Sequence, residues 1–272
     1  MMPTLVVYQC YDCGAPHEEM AGRCKRCGHW FSVICVPRAR AVARREEIAA
    51  MPEGSAQPAE LIAPRATAKL STGIANVDRL LAGGLVPSTV TVVSGRPGSG
   101  KSRLVRQIAA NFARRQGRRA LLVSAEEPAN QVRVNLDEMG LPATLFHLAY
   151  TDDLAAFEGD IFDKRPSIFV FDSLQYLDDT RIDGGPATRR MEAFKKLREI
   201  LVQRRVTGLV ISHVNSEGEV AADRNFERLP DVHLFLGEPA GPDSPLRELE
   251  IKKSRFHAPG RVTLTMTGKG LV

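Results

Sequence analysis

The sequence predicts an α/β fold, a mostly parallel sheet flanked by helices, with a small cysteine-rich module in front of it. Three observations support this prediction. From about residue 67 onward, apolar runs of strand length alternate with helix-like stretches, which is typical of a parallel sheet covered by helices. A glycine-rich phosphate-loop motif stands between one such run and the next helix. All 5 cysteines lie within the first 35 residues, which indicates a separate module.

Composition and charge are those of a globular protein. The chain has 272 residues, of which 43% are hydrophobic and 25% charged, so a disordered, collagen-like or coiled-coil chain is excluded. No stretch approaches the roughly 18 uncharged apolar residues that cross a membrane, and the N-terminus lacks the basic region of a signal peptide. We therefore expect a cytoplasmic protein without membrane contact. The net charge of +5 leans mildly toward a polyanionic partner.

Composition divides the chain into three segments. Residues 1–37 contain the cysteines and form the first module. Residues 38–66 are rich in Arg and Ala, include several prolines and have poor hydrophobic periodicity, so we expect a linker there with a short helix over 39–50. Residues 67–272 form the α/β domain.

Within the α/β domain, each element is predicted from an apolar run or a helical stretch bounded by turn residues. The predicted strands are 89–94, 120–124, 167–171, 208–212, 232–236, 246–252 and 261–267. The predicted helices are 73–81, 101–115, 128–139, 153–164 and 187–204. No helix separates the last two strands, so they are expected to form an antiparallel hairpin appended to the sheet.

Two Cys-x2-Cys pairs predict a metal site in the first module, a four-cysteine zinc ribbon. Cys10, Cys13, Cys24 and Cys27 supply four thiolates, the set that suits tetrahedral Zn²⁺. A glycine after each pair permits the tight turn of a metal-binding knuckle. Because so short a module has little core of its own, the metal would supply its stability.

Other uses of these cysteines stay open. Two disulfides or four unconnected thiols are the alternatives, and paired Cys-x2-Cys motifs in a cytoplasmic chain favour zinc over both. His17 or His29 could replace one thiolate as a ligand. Cys35 is expected to be a small buried residue rather than a fifth ligand.

Residues 95–102 read Gly-Arg-Pro-Gly-Ser-Gly-Lys-Ser and match the phosphate-binding loop at every fixed position. Glycines let main-chain amides face a phosphate, and the following helix N-terminus adds positive potential. Lys101 is expected to reach the β- and γ-phosphates of ATP, and Ser102 to hold Mg²⁺. The predicted nucleotide contacts are Gly95, Gly98, Ser99, Gly100, Lys101 and Ser102.

Polar residues at the ends of three other predicted strands complete a candidate site for nucleotide hydrolysis. Asp172 follows an apolar run and is predicted to hold Mg²⁺. Glu126 and Glu127 follow another run, and either could be the base that activates water. We favour Glu126, since one of the two could simply stabilise the next helix N-terminus. His213 ends a further run and could sense the γ-phosphate.

In order and spacing, these residues resemble one family, the RadA (Sms) ATPases of bacterial recombination, within the RecA and DnaB class. The resemblance covers nearly the whole chain. Besides the cysteine ribbon, its motifs are the segment 71–87, Val-Ser-x-Glu-Glu at 123–127, Asp-Ser-Leu-Gln at 172–175, His-Val-x-x-Glu-Gly at 213–218 and Lys-Ser-Arg-Phe at 253–256.

The resemblance implies a RecA-like P-loop ATPase core with ATP, Mg²⁺ and Zn²⁺ as cofactors. It implies a homo-hexameric ring that loads on single-stranded DNA, promotes branch migration of recombination intermediates and works with a RecA-type recombinase. Lys253 and Arg255 would reach the γ-phosphate bound by the neighbouring subunit, and Phe256 would anchor their loop. Further arginines would face the DNA channel: Arg181, Arg189, Arg190, Arg224 and Arg228.

Three departures from the family pattern are visible. Ser254 and His257 replace the Asn and Gly of the family's Lys-Asn-Arg-Phe-Gly motif, and Arg103 stands where Thr is usual. The sequence also stops where family members continue into a Lon-protease-like domain. The rival hypothesis is a regulatory RecA-like ATPase that switches protein partners without moving DNA, and the cysteine ribbon and the 253–256 motif argue against it.

Overall fold

The computed structural model describes residues 6–10, 16–25, 33–37, 69–214, 226, 228–238, 241 and 244–272. The chain divides into two compact units, Met1–Ala66 and Thr67–Val272. The expected linker and the expected helix over 39–50 lie outside the described residues. Among the residues that are described, no helix is long and apolar enough to cross a membrane.

The first unit contains a small antiparallel sheet. Its strands are β1 (Val6–Cys10), β2 (Pro16–His17) and β3 (Val33–Pro37), in the spatial order β2-β1-β3. Cys10 and Cys24 are buried and cluster with Val33. Both cysteines therefore face the same small interior.

The second unit is built on a sheet of nine described strands with helices on both faces. The strands are β4 (Val90–Gly95), β5 (Ala120–Ser124), β6 (Phe146–Tyr150), β7 (Phe169–Asp172), β8 (Gly208–His213), β9 (Val232–Leu236), β10 (Leu246–Ser254), β11 (Arg261–Thr267) and β12 (Gly270–Leu271). The helices are α1 (Ala75–Leu80), α2 (Lys101–Gln116), α3 (Ala129–Glu138), α4 (Leu154–Lys164) and α5 (Pro186–Gln203).

The strand order is β12-β11-β10-β9-β4-β8-β7-β5-β6. The strands from β9 to β6 in this order pair in parallel, and β10, β11 and β12 add an antiparallel edge. The predicted fold class is therefore confirmed, including the hairpin of β10 and β11. Because the central strands are parallel, the carboxyl ends of β4, β5, β7 and β8 all lie at one edge of the sheet.

The core has two layers, one on each face of the sheet. Side chains of α1, α2 and α3 pack with Val93 on one face, whereas side chains of α4 and α5 pack with Val92 on the other. Successive strand residues point to opposite faces, so a strand buried on both faces reads as a continuous apolar run. This is why the central strands were recognisable in the sequence.

The predicted element bounds differ from the observed ones by at most two residues. Helix α1 begins at Ala75 rather than at residue 73, because Gly73 has φ +79 and the Thr72 amide donates to Asp78 Oδ1 at 2.6 Å. Strand β6 was not predicted. It is an edge strand, only its first residue is buried, and His147 interrupts its apolar run.

Candidate active site

The phosphate loop joins β4 to α2, and its backbone requires glycine at two places. A Cβ atom at Gly95 would lie 2.3 Å from the main-chain oxygen of Leu236. At Gly100, which has φ +103, it would lie 2.2 Å from Met266 Cε. The hydroxyl of Ser99 is buried and has no hydrogen-bond partner among the described residues. The loop thus presents amides and a hydroxyl suited to phosphate oxygens.

Lys101 lies over this loop. Its Nζ donates to the main-chain oxygens of Gly95 and Arg96, each at 2.8 Å. Burial lowers the pKa of Lys101, and the nearby carboxylates of Asp172 and Glu126 oppose that shift. The ammonium is therefore held where it could exchange loop carbonyls for phosphate oxygens.

Asp172 and Ser102 form the candidate magnesium site. Asp172 ends β7 and is buried, and it accepts a hydrogen bond from the hydroxyl of Ser102 at the start of α2. Burial raises the pKa of Asp172, while Arg106 and the Ser102 hydrogen bond act against that rise. A carboxylate and a hydroxyl are oxygen ligands of the kind Mg²⁺ takes beside nucleotide phosphates, so these residues fit the metal.

Glu126 lies between two donors at the carboxyl edge of the sheet. His213 Nε2 is 2.9 Å from Glu126 Oε1, and the hydroxyl of Ser173 donates to the same oxygen. These hydrogen bonds lower the pKa of Glu126, with His213 as the larger cause, although partial burial opposes them. Glu126 is therefore an ionised carboxylate at neutral pH with one oxygen already occupied.

Glu127 has a different environment. Its Oε2 accepts from Arg106 Nη2 and from Asn135 Nδ2, both at 2.9 Å. Its amide donates to Ser124 Oγ at 2.9 Å, which fixes the turn after β5. The two adjacent glutamates are thus separated by their partners: Glu127 is tied to two neighbouring helices, and Glu126 faces the strand ends.

Three residues of this site escaped the functional assignment made from the sequence. Ser173 and Gln175 belong to the Asp-Ser-Leu-Gln motif, but neither was assigned a role from the sequence. In the structure, Gln175 Nε2 donates to Ser212 Oγ at 3.0 Å and to the main-chain oxygen of His213 at 3.1 Å. Arg106 is the third. The one signal for it was a charged residue on the core-facing side of a predicted helix.

Lys253 and Arg255 are not brought to this site. Lys253 Nζ donates to the main-chain oxygen of Arg228 at 2.6 Å, and Arg255 Nη1 lies 3.5 Å from Asp231 Oδ1. Asp231 pairs with Val90 at the amino end of β4. The phosphate loop follows the other end of that strand, roughly 20 Å away for a strand of this length.

Two of the arginines expected to face DNA are already paired with carboxylates. Arg189 makes two hydrogen bonds of 2.8 Å to Asp178, and Arg181 binds both Glu158 and the buried Asp179. This network anchors the segment after β7, and it reduces the charge that both arginines could offer to a phosphate. The other candidates are Arg190 and Arg228, which are described, and Arg224, which lies outside the described residues.

The metal-ligand set of the first unit is only partly described. His17 Nε2 lies 3.3 Å from Cys24 Sγ, and Cys10 belongs to the same buried cluster. The other predicted ligands, Cys13 and Cys27, lie outside the described residues, as does His29. Among the residues described, no group of three or more His, Cys, Asp or Glu side chains could hold a metal ion. The zinc site stays a prediction.

Comparison with known proteins identifies the family. The DNA repair protein RadA of Mycobacterium tuberculosis is 34% identical over 262 residues, which cover 94% of this chain and 53% of that protein. RadA of Escherichia coli is 29% identical over 274 residues, which cover 97% of this chain and 58% of that protein. The chain belongs to the RadA/Sms family. It spans somewhat more than half the length of these relatives.

The RadA family assignment agrees with the fold. Residues 70–147 match the KaiC family of ATPases. A KaiC-like protein of the archaeon Pyrococcus horikoshii superposes with a TM-score of 0.62 at 19% identity, covering 75% of this chain and 97% of that one. A RadA-family P-loop ATPase implies ATP and Mg²⁺ as ligands, and the loop, Ser102 and Asp172 fit both.

The environments of the two glutamates predict different effects on stability. Replacing Glu127 with Gln should lower the free energy of unfolding by about 1–3 kcal/mol, because the buried guanidinium of Arg106 loses its nearest carboxylate. Glu126→Gln should lower it by less, about 0.5–1 kcal/mol, because the glutamine oxygen can still accept hydrogen bonds from Ser173 and His213. Urea unfolding followed by circular dichroism measures both values. Equal losses in the two variants would contradict this division.

Proposed function

We propose that this chain is an ATP-driven DNA-repair motor that loads on single-stranded DNA and promotes branch migration of recombination intermediates. The observation that supports it most directly is the placement of Lys101, Glu126 and Asp172 at adjoining strand ends, in a chain related to RadA repair proteins. Composition, fold and charge alone would support only a generic ATPase.

In the proposed mechanism, each residue has one task. The loop amides and Lys101 bind and orient the β- and γ-phosphates. Mg²⁺, held by Ser102 and Asp172, would neutralise charge on those phosphates. His213 and Ser173 both form hydrogen bonds with Glu126 Oε1, and these bonds fix the orientation of the carboxylate. The other oxygen, Oε2, would then take a proton from the attacking water. His213 is proposed to sense the γ-phosphate, and its hydrogen bond to Glu126 supports this role.

Glu126→Gln should therefore leave nucleotide binding intact and slow hydrolysis by about 10²–10⁴-fold, the usual effect of losing a general base. Glu127→Gln is the matched control, since it makes the same change one residue away and should retain most of the activity once folded. Fluorescent-nucleotide binding and phosphate release give the two readouts. If Glu127→Gln abolishes hydrolysis and Glu126→Gln does not, the roles are reversed.

Hydrolysis is expected to rise severalfold with single-stranded DNA. The test measures the wild-type rate with and without DNA, and then branch migration on a three-stranded substrate, using Lys101→Ala as the inactive control. A rate that DNA leaves unchanged would favour the second candidate, an ATPase that switches protein partners. The match of residues 70–147 to the KaiC ATPases is the observation that keeps this candidate open.

We also propose that the chain forms a homo-hexameric ring in which Lys253 and Arg255 act on the neighbour's nucleotide. Their position at the amino end of β4, remote from their own phosphate loop, supports action in trans. Phe256 was expected to anchor their loop, but it is 42% exposed in this chain, and we propose that it packs on the adjoining subunit instead. An inserted arginine of this kind is worth about 10³–10⁵ in rate.

Mixing two inactive proteins, Lys101→Ala and Arg255→Ala, tests this arrangement. In mixed rings some interfaces pair an intact loop with an intact Arg255, so part of the activity should return. Arg261→Ala, an exposed arginine on β11, serves as a control that should stay active alone. No recovery in rings shown to be mixed, or full activity of Arg255→Ala by itself, would contradict the proposal.

The first unit is proposed to hold one Zn²⁺ on Cys10, Cys13, Cys24 and Cys27. Cys10 and Cys24 are buried in one cluster, which supports their binding the same Zn²⁺ ion. Elemental analysis should find about one zinc per chain, Cys24→Ser should lose it, and His17→Ala should keep it. Stoichiometric zinc in Cys24→Ser, with the second unit still folded, would exclude the four-cysteine set.

A further inference from the structure

A buried arginine lies among the carboxylates of the candidate site. Arg106 is on α2, in the helical row that faces the sheet, and its side chain is only 5% exposed. Its Nη2 lies 2.9 Å from Glu127 Oε2 and 3.7 Å from Asp172 Oδ2. Its neighbours along the helix, Leu104 and Ile108, are buried core residues. An apolar side chain would be the ordinary occupant of this position.

Placing a guanidinium there has a cost that packing does not offset. Burying a charge is unfavourable unless carboxylates and hydrogen bonds compensate it. The compensation here is incomplete, since Arg106 Nε is buried and has no hydrogen-bond partner among the described residues. The cation is therefore best explained by the charges that it faces, the carboxylates of Asp172 and Glu127.

Those carboxylates stand at the ends of neighbouring strands, close to where Mg²⁺ is expected. Without Arg106 they would present two negative charges in a half-buried site, a surrounding that attracts a divalent cation by itself. With Arg106 one of the two charges is already neutralised. The binding free energy of a divalent cation without nucleotide is therefore less favourable there. Tight binding needs additional negative charge, which the phosphates of a nucleotide supply.

We propose that Arg106 is an internal counter-ion that makes Mg²⁺ binding depend on the nucleotide. It is a positioning residue: it holds Asp172 and Glu127 in place in the metal-free protein and weakens their attraction for free Mg²⁺. The proposal rests on the assignment of Ser102 and Asp172 as magnesium ligands in the proposed function.

Two substitutions at Arg106 separate charge from shape. Arg106→Gln keeps a donor for Glu127 but removes the charge, and Arg106→Lys keeps the charge. Arg103→Gln is the matched control, because it makes the same change on the same helix. Arg103 Nη1 donates a hydrogen bond to the main-chain oxygen of Gly268 at 3.1 Å. Each full-length protein is titrated with Mg²⁺ alone and with Mg²⁺ plus ADP, and thermal unfolding is recorded.

The wild type is expected to be stabilised by Mg²⁺ with ADP and hardly at all by millimolar Mg²⁺ alone. Arg106→Gln should melt at a lower temperature than the wild type and should regain stability when Mg²⁺ alone is added. The Mg²⁺ concentration that gives half of this stabilisation should be at least about tenfold lower than for the wild type. Arg106→Lys and Arg103→Gln should respond as the wild type does. A merely structural role would lower the melting temperature equally with and without Mg²⁺.

The outcomes distinguish failure of this idea from failure of the nucleotide site. If Arg106→Gln responds to Mg²⁺ alone no more than the wild type, while Mg²⁺ with ADP stabilises both, the counter-ion role is overturned. If Mg²⁺ with ADP does not stabilise the wild type, the proposed nucleotide site itself is wrong, and the counter-ion role is overturned with it.

A second variant covers the case in which Arg106→Gln does not fold. The double variant Arg106→Gln, Glu127→Gln removes one carboxylate together with the cation and so restores the charge balance. It should fold and should bind Mg²⁺ alone no better than the wild type. Tighter binding of free Mg²⁺ by this double variant would overturn the proposal.

Discussion

The candidate site depends on the parallel pairing of β4, β8, β7 and β5. In this register Gly95 lies opposite His213, and Ser124 lies opposite Asp172, while Phe171 pairs with Val210. All four strands therefore end at the same edge of the sheet, with β4 and β8 extending two residues beyond β5 and β7. Strands β4, β7 and β8 end in Gly95, Asp172 and His213, and Glu126 follows the end of β5 by two residues. A slip of one residue in any of these pairings would turn the side chains to the other face of the sheet. Burial on both faces, with helices packed against each, is what fixes the register.

Charge balance is the second constraint at this edge. Three carboxylates, Glu126, Glu127 and Asp172, share a partly buried region with two cations, Lys101 and Arg106. The two glutamates have different partners: Arg106 and Asn135 hold Glu127, whereas His213 and Ser173 hold Glu126 by a single oxygen. Adjacent residues of one type can therefore take different roles, because the chain turns between them toward different neighbours.

The two ends of the sheet are different in kind. The carboxyl end has the phosphate loop and its acids, while the amino end has Lys253, Arg255 and the buried Asp231, which also accepts from Arg198 at 2.8 Å. In the ring proposed above, this separation would let one copy complete the nucleotide site of the next through head-to-tail contacts. The ion pairs of Arg181 and Arg189 give the segment after β7 a fixed anchor beside that site.

Local patterns in the sequence determined the fold class, the limits of most elements and the residues of the phosphate loop. These features depend on near neighbours in the chain: an apolar run predicts a strand buried on both faces, and glycines at fixed spacing predict a loop whose amides face a phosphate. The edge strand β6 was missed because half-exposed strands have weak patterns. Tertiary structure decided the rest. It separated Glu126 from Glu127, paired Arg181 and Arg189 with acids, and placed Arg106 between Asp172 and Glu127. Each of these outcomes depends on groups that are distant in sequence and adjacent in space, and a single sequence does not record which distant groups will meet.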